Sequence, residues 1–345
     1  MKDELIPNPI AITPVVENDT SLQKWADSER CALLAFIAPY VGKRVSPVSE
    51  VFATIGMQEE FGIESFIDQC AAARIKKLHM LVNSPGGGVV SSYKIAKALR
   101  SQFTEIRVFV PHMAASGGTL IALTGDEIVM GVMSHLSPLD PQFYYQGMSI
   151  SSNTFARCFE RFQRSFAQLQ PDEAPYPIRC MTEKLDPLVM EEMNGTTQAC
   201  IEYVIDILRG AGYPAQEAIK KALYLTMNFT DHSTVLRKAA LKEQGFKVVD
   251  DSKYRKEWLA MRQWLRKYIA SPEGVHHLRY CLPRAASAKT PEAPTNGRNG
   301  SKMSVEEKPG RRPTKKPGRR PERRLNPSTD KRTDRNGKNG GRGGA

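Results

Sequence analysis

Pro111–Met130 reads PHMAASGGTLIALTGDEIVM, and within it Ser116 stands between two alanines and two glycines. A serine at the turn between a strand and a helix is exposed at the strand's carboxyl end, where open parallel sheets place their ligands. Alanine and glycine around it let a substrate carbonyl approach the backbone, and the amides just beyond it can hold a developing oxyanion. Upstream, Asn83–Gly88 reads NSPGGG. Its Gly86–Gly88 loop could offer a second amide donor on the same edge. The two strings fit one site for acyl chemistry at a serine. The same glycines would also suit tight turns that carry no chemistry, so residue types alone leave both readings open.

The elements needed to position such a site are present. Lys77–Asn83 (KLHMLVN) is a short apolar run stopped by Pro and Gly, as in a buried strand. Val89, Tyr93, Ala96, Leu99 and Phe103 then repeat at the spacing of an amphipathic helix. Ile106–Val110 reads as a second strand, Gly118–Leu123 as a short helix and Glu127–Met130 as a third strand. Strands and helices alternating at this spacing imply parallel βαβ units, hence an α/β layer. Before it, a loose arm leads into a helix expected over Ser21–Ala38, and Met57–Ala73 reads as helical. After it, helices are expected over Met190–Arg209, Pro214–Leu225, Val235–Gln244 and Tyr254–Ala270, with Ser233 or Thr234 as a cap for the third.

The chain has 345 residues and a formal net charge of +12. That charge does not describe the whole molecule. Pro283–Ala345 holds 18 of the 49 Lys and Arg but only 6 of the 37 Asp and Glu, so the rest is neutral. This stretch lacks aromatics and runs through KPGRRPTKKPGRRPERR, which predicts a disordered basic tail. Its Arg and Lys pairs suit salt-sensitive attraction to nucleic acid or another polyanion, or simply a solubilising extension. The six cysteines form no CxxC pair and predict reduced thiols without a metal site. The acidic, proline-interrupted start has no signal-peptide core, and no run suits a membrane helix. A cytoplasmic protein without a membrane partner is expected. The expected division is an arm over 1–30, one α/β domain over 31–282 and the tail over 283–345.

NSPGGG followed by AASGG resembles the proteolytic subunit of Clp protease and its crotonase-like relatives. The longer match, VFVPHMAASGGTLIALTGDEIVM with LSPLDPQF behind it, resembles the serine dehydrogenase proteinase family of Clp-protease-like serine hydrolases. The resemblance is strong over Leu78–Phe143 and weaker to about Val249. No GxGxxG fingerprint supports a nicotinamide cofactor, and none is expected. The resemblance implies a ClpP/crotonase-like fold with added helices, a homo-oligomer and cleavage of peptide or protein substrates. It further implies Ser116 as nucleophile, Asp140 as acid and His232 as base. Gly86, Gly87 and Gly117 would form the substrate loop, with oxyanion amides from Gly87 and Gly117.

Each assignment competes with a plainer one. His232 beside Asp231 could be a solvated histidine, and Asp140 before Pro141 could shape a turn. His135 is a rival base, His112 fits the strand-end turn, and Lys184 or Lys221 could form a Ser-Lys dyad. The chain departs from the family in lacking the N-terminal membrane segment that its members often carry, and in having Ser137 where a glycine is usual. A catalytically silent scaffold and an acyl-CoA hydrolase are the competing functional readings.

Overall fold

The computed structural model describes residues 14–46, 49–52, 54–145, 148–167, 186–270 and 276–284, with isolated positions between 173 and 183. The apolar runs around the serine form the middle of a seven-stranded sheet. In chain order its strands are β1 (Val15–Val16), β2 (Ala32–Ile37), β5 (Lys77–Asn83), β6 (Glu105–Val110), β8 (Glu127–Met130), β13 (Val248–Asp250) and β14 (His277–Cys281). Across the sheet the order is β1-β14-β2-β5-β6-β8-β13. From β2 to β13 every pairing is parallel, whereas β14 pairs antiparallel with β2 and parallel with β1, so these two edge strands run opposite to the rest. The expected parallel α/β core is thus present, extended by an edge that the sequence pattern does not reveal.

Helices cover both faces, which is why both sides of the central strands carry buried apolar residues, with most of their charged residues at the strand starts. On one face Leu34, Phe36, Met80, Val108 and Met130 pack against α2 (Met57–Ala72), α3 (Val89–Gln102) and the later helices Pro187–Gly210 and Ala215–Met227. On the other, Leu33, Ala35, Leu81, Phe109 and Val129 meet α1 (Thr20–Glu29) and the helix Arg255–Tyr268 through Trp258, Met261 and Trp264. The period of two splits each strand between the two cores. Each fully buried Leu or Phe contributes about 1.5–3 kcal/mol relative to exposure, so this double layer is the main source of rigidity beneath the site.

Three expectations need correction. The helix expected over Ser21–Ala38 is helical only over Thr20–Glu29. Arg30 adopts a left-handed conformation (φ 49°) that ends it, and Ala32–Ile37 enters the sheet as a fully buried strand. A uniformly apolar run has no periodicity to separate a buried strand from a buried helix. The ordered core also begins earlier than the expected arm allows, because β1 pairs with β14 and Leu22 and Ala26 are buried. Finally, the segment after Thr234 starts as strand β12 (Leu236–Arg237), and the helix is confined to Lys238–Glu243. Ser233 and Thr234 instead close a turn on Asp231: the Ser233 N–H donates to its carboxylate at 2.8 Å and the Thr234 hydroxyl to its carbonyl at 2.7 Å.

Among the described residues, no helix is long and apolar enough to cross a membrane. All six cysteines are free. The expected basic tail, apart from its first two residues, lies outside the described residues, as does Lys184.

Candidate active site

Strand β7 (Met113–Ala114) leads into a turn at Ser116 and then into the short helix α4 (Gly117–Ala122). Ser116 has φ 48° and ψ −123°, which residues other than glycine rarely adopt. Such a backbone costs about 1–3 kcal/mol and persists only when its surroundings fix it. Here they do. The Ser116 N–H donates to Ser137 Oγ at 2.7 Å, and the Thr119 hydroxyl donates to the carbonyls of Ala114 (2.7 Å) and Ser137 (3.0 Å). Ser137, noted in the sequence only as a departure from the family's glycine, therefore braces the turn that presents Ser116. Small residues are required beyond it as well, since a Cβ on Gly117 would lie 2.1 Å from Ser92 Oγ.

The Gly86–Gly88 loop lies against this turn. A Cβ on Gly86, whose φ is 105°, would fall 2.6 Å from the Cβ of Ser116. A Cβ on Gly87 would fall 2.2 Å from the Ile55 nitrogen. Ile55 holds the loop on both sides: its N–H donates to the Gly86 carbonyl and its carbonyl accepts from the Gly88 N–H, each at 2.9 Å. The Gly87 N–H between them, and that of Gly117, have no hydrogen-bond acceptor among the described residues. A Cβ on Gly117 would be 3.4 Å from the Gly87 nitrogen, so the two free amides sit side by side. Alanine keeps the N–H but its Cβ would push the loop off Ile55, so Gly87→Ala is expected to lower any turnover that uses this amide by about 10²- to 10³-fold, the loss typical of one oxyanion donor. A steady-state assay beside a thermal melt would measure it.

Asp140 is 2% exposed, and its Oδ1 lies 2.6 Å from His232 Nδ1. Burial works to raise the Asp140 carboxyl, but the hydrogen bond of His232, the nearby Ser151 hydroxyl and the charge of His232 together outweigh it and hold the group below its ordinary value. An ionised Asp140 accepts from Nδ1–H, which leaves Nε2 unprotonated and available as a base. Ser116, Asp140, His232, Gly86, Gly87 and Gly117 all line one cleft of about 360 Å³.

A second, three-stranded sheet explains how distant residues meet. Its order is β12-β9-β7, where β9 is His135–Leu136. Ser116 follows β7 by two residues, Asp140 follows β9 by four and His232 precedes β12 by four. The rival groups are located elsewhere. His135 and His112 are absent from the cleft lining, their rings packing edge to face with centroids 6.1 Å apart. Burial and the neighbouring His112 push His135 down in pKa. Lys221 is buried and paired with Glu217 at 3.2 Å, also away from the cleft. Cys200 does line it, but burial pushes its thiol up to about 12 and its Sγ donates to the Leu139 carbonyl at 3.0 Å. Among the residues of the cleft, a thiolate nucleophile is disfavoured. Leu139 and Gln142, inside the LSPLDPQF string, also line it, as do Thr54 and Thr196, which carry no motif by which sequence reading could have found them.

Residues 64–158 match the family model of ClpP-like SDH-type serine proteinases. The resemblance carried by NSPGGG and AASGG holds over that stretch, which contains Gly86, Gly87, Ser116, Gly117 and Asp140 but stops short of His232. Two uncharacterized proteins of Methanocaldococcus jannaschii are similar. One is 49% identical over 72 residues, covering 21% of this chain and 25% of the relative. The other is 27% identical over 171 residues, covering 50% of this chain and 51% of the relative. The matches thus span about a quarter and about half of those relatives' lengths. Among solved structures, an alanine mutant of the 1510-N membrane-bound stomatin-specific protease aligns with a TM-score of 0.39 and 17% identity, over 59% of this chain and 80% of that one.

Proposed function

We propose that this chain is a serine peptidase acting through Ser116, His232 and Asp140. The observation that carries the reading is the convergence on one cleft of a strained serine, a histidine paired with a buried carboxylate and two unpartnered amides. The family match over 64–158 supports a peptide bond as the target.

Ser116 Oγ attacks the scissile carbonyl carbon while His232 Nε2 takes the hydroxyl proton. The carbonyl π electrons move to oxygen, and the resulting oxyanion accepts hydrogen bonds from the Gly87 and Gly117 N–H groups. The C–N bond then breaks as Nε2–H passes its proton to the leaving amine, giving an acyl-enzyme. Water, losing a proton to Nε2, attacks the ester. Collapse of the second tetrahedral intermediate returns that proton to Ser116 Oγ and releases the acid. Asp140 remains ionised throughout, holding the ring tautomer and stabilising the imidazolium. Free cysteines are in keeping with a reducing, cytoplasmic setting.

A fluorophosphonate probe tests the reading directly. The folded protein is expected to form a covalent adduct that peptide mass spectrometry maps to Ser116. Absence of an adduct in a sample with a cooperative melt would overturn the assignment and favour a silent scaffold.

A further inference from the structure

Behind the glycine loop lies a second Ser-His-carboxylate array, which uses none of the residues assigned to the reaction. Ser84 Oγ is 2.9 Å from His276 Nε2, and His276 Nδ1 is 3.2 Å from Glu59 Oε1. Ser84 is fully buried, His276 is 1% exposed and Glu59 is 3% exposed. None of the three lines the cleft, so the array is not a second active centre.

Its directions are fixed by its ends. A carboxylate can only accept, so Glu59 takes the hydrogen bond of His276 Nδ1–H. Nε2 is then the acceptor for the Ser84 hydroxyl, whose oxygen also accepts from the Gly86 N–H at 3.0 Å. Glu59 Oε2 accepts from the Gly56 N–H at 2.8 Å. Every polar atom in the row has a partner, as a buried carboxylate and imidazole require. The row also closes on itself. Gly56 follows Ile55, the residue that holds the Gly86 carbonyl and the Gly88 N–H. The loop is therefore gripped at Gly86 from one side and at Gly86 and Gly88 from the other, with only the Gly87 amide left free. The Ser84 carbonyl reaches the serine turn too, accepting from the Ala115 N–H at 2.9 Å. Phe36 packs on the His276 ring with centroids 4.6 Å apart, tying the row to the rigid strand β2.

The geometry points to Ser84, His276 and Glu59 as positioning residues that aim the Gly87 amide at the oxyanion. A free N–H on a glycine loop has no side chain to orient it. Only the bonds of its neighbours can, and an error of about 1 Å in such a donor can cost as much as about 10²-fold in rate. This inference rests on the peptidase reading for its catalytic consequence, but the hold on the loop can be measured independently of it.

The test compares Ser84→Ala, His276→Leu and His276→Gln in the full chain. Gln can donate to Glu59 and accept from Ser84 with one amide, whereas Leu fills the space and does neither. Ser84→Ala and His276→Leu are expected to lower kcat and the fluorophosphonate labelling rate about 10- to 100-fold, less than outright loss of a donor. KM should change less than about threefold, because uniform binding is untouched. His276→Gln should recover most of the rate. Amide hydrogen exchange across Pro85–Val89 should accelerate in the first two variants and not in the third. Failure of the wild type to label would sink the peptidase reading, leaving the exchange result to decide whether the row holds the loop. A labelling wild type, with folded Ser84→Ala and His276→Leu proteins of undiminished rate and unchanged exchange, would overturn the inference. If Ser84→Ala does not fold, equal rates and exchange for His276→Leu and His276→Gln have the same force.

Discussion

Ser116→Ala should abolish hydrolysis, by about 10⁴- to 10⁶-fold in kcat, while barely moving the melting temperature. Removing the nucleophile of a triad leaves only the rate that binding and the oxyanion amides can supply. The fold has little reason to notice. Alanine faces the same penalty as serine at φ 48°, and the Ser116 N–H that anchors the turn to Ser137 belongs to the main chain. Ser116→Gly separates the two effects. It removes the same oxygen but admits the positive φ freely, and should raise stability by about 1 kcal/mol. A stabilising yet inactivating change is the signature of strain held at a functional residue rather than of a packing position. A steady-state peptidase assay beside thermal unfolding measures both. Residual turnover above about a tenth of wild type in either variant would remove Ser116 from the mechanism.

The part of this site visible in the sequence is the part whose requirements are local. Ser116 needs small neighbours at a strand-to-helix turn, Gly86 needs a positive φ, and the strands beneath are short apolar runs bounded by Pro and Gly. Those demands fall on adjacent residues and leave a pattern. The pairing of Asp140 with His232 spans 92 positions and depends on a three-stranded sheet whose strands are two residues each, too short to announce themselves. Family resemblance suggested these two residues; no periodicity did. His276 meets Ser84 across 192 positions, just ahead of a strand, His277–Cys281, that the sequence pattern does not reveal. Ala32–Ile37 resembles a helix in sequence for a related reason, because burial on both faces erases the alternation that marks a strand. Ser137 lies between these cases. Its identity was conspicuous, but its bond to the Ser116 amide is a matter of three-dimensional placement.

Asp140→Asn should lower kcat/KM by about 10⁴-fold with the cleft otherwise intact. The argument turns on one proton. Ionised Asp140 can only accept, so it selects the His232 tautomer with hydrogen on Nδ1 and a lone pair on Nε2. An asparagine can turn its NH₂ toward Nδ1, which favours hydrogen on Nε2 and leaves no acceptor for the serine proton. Asp140→Ala should be less specific in its effect, since it frees the ring without imposing the wrong tautomer. The same substitution changes the response to acid. A carboxyl held below its ordinary value on folding contributes stability that is fully present above the unfolded value, about pH 4, and is lost as pH falls through the folded one. Asn does not titrate, so the variant's melting temperature should fall less steeply than wild type over that acid range. Equal acid sensitivity with a rate within tenfold of wild type would show that the carboxylate neither pairs with His232 in solution nor serves the reaction. A lost rate with unchanged acid sensitivity would keep Asp140 in the mechanism and assign the acid response to other carboxylates, of which Glu59, buried against His276, is the first to examine.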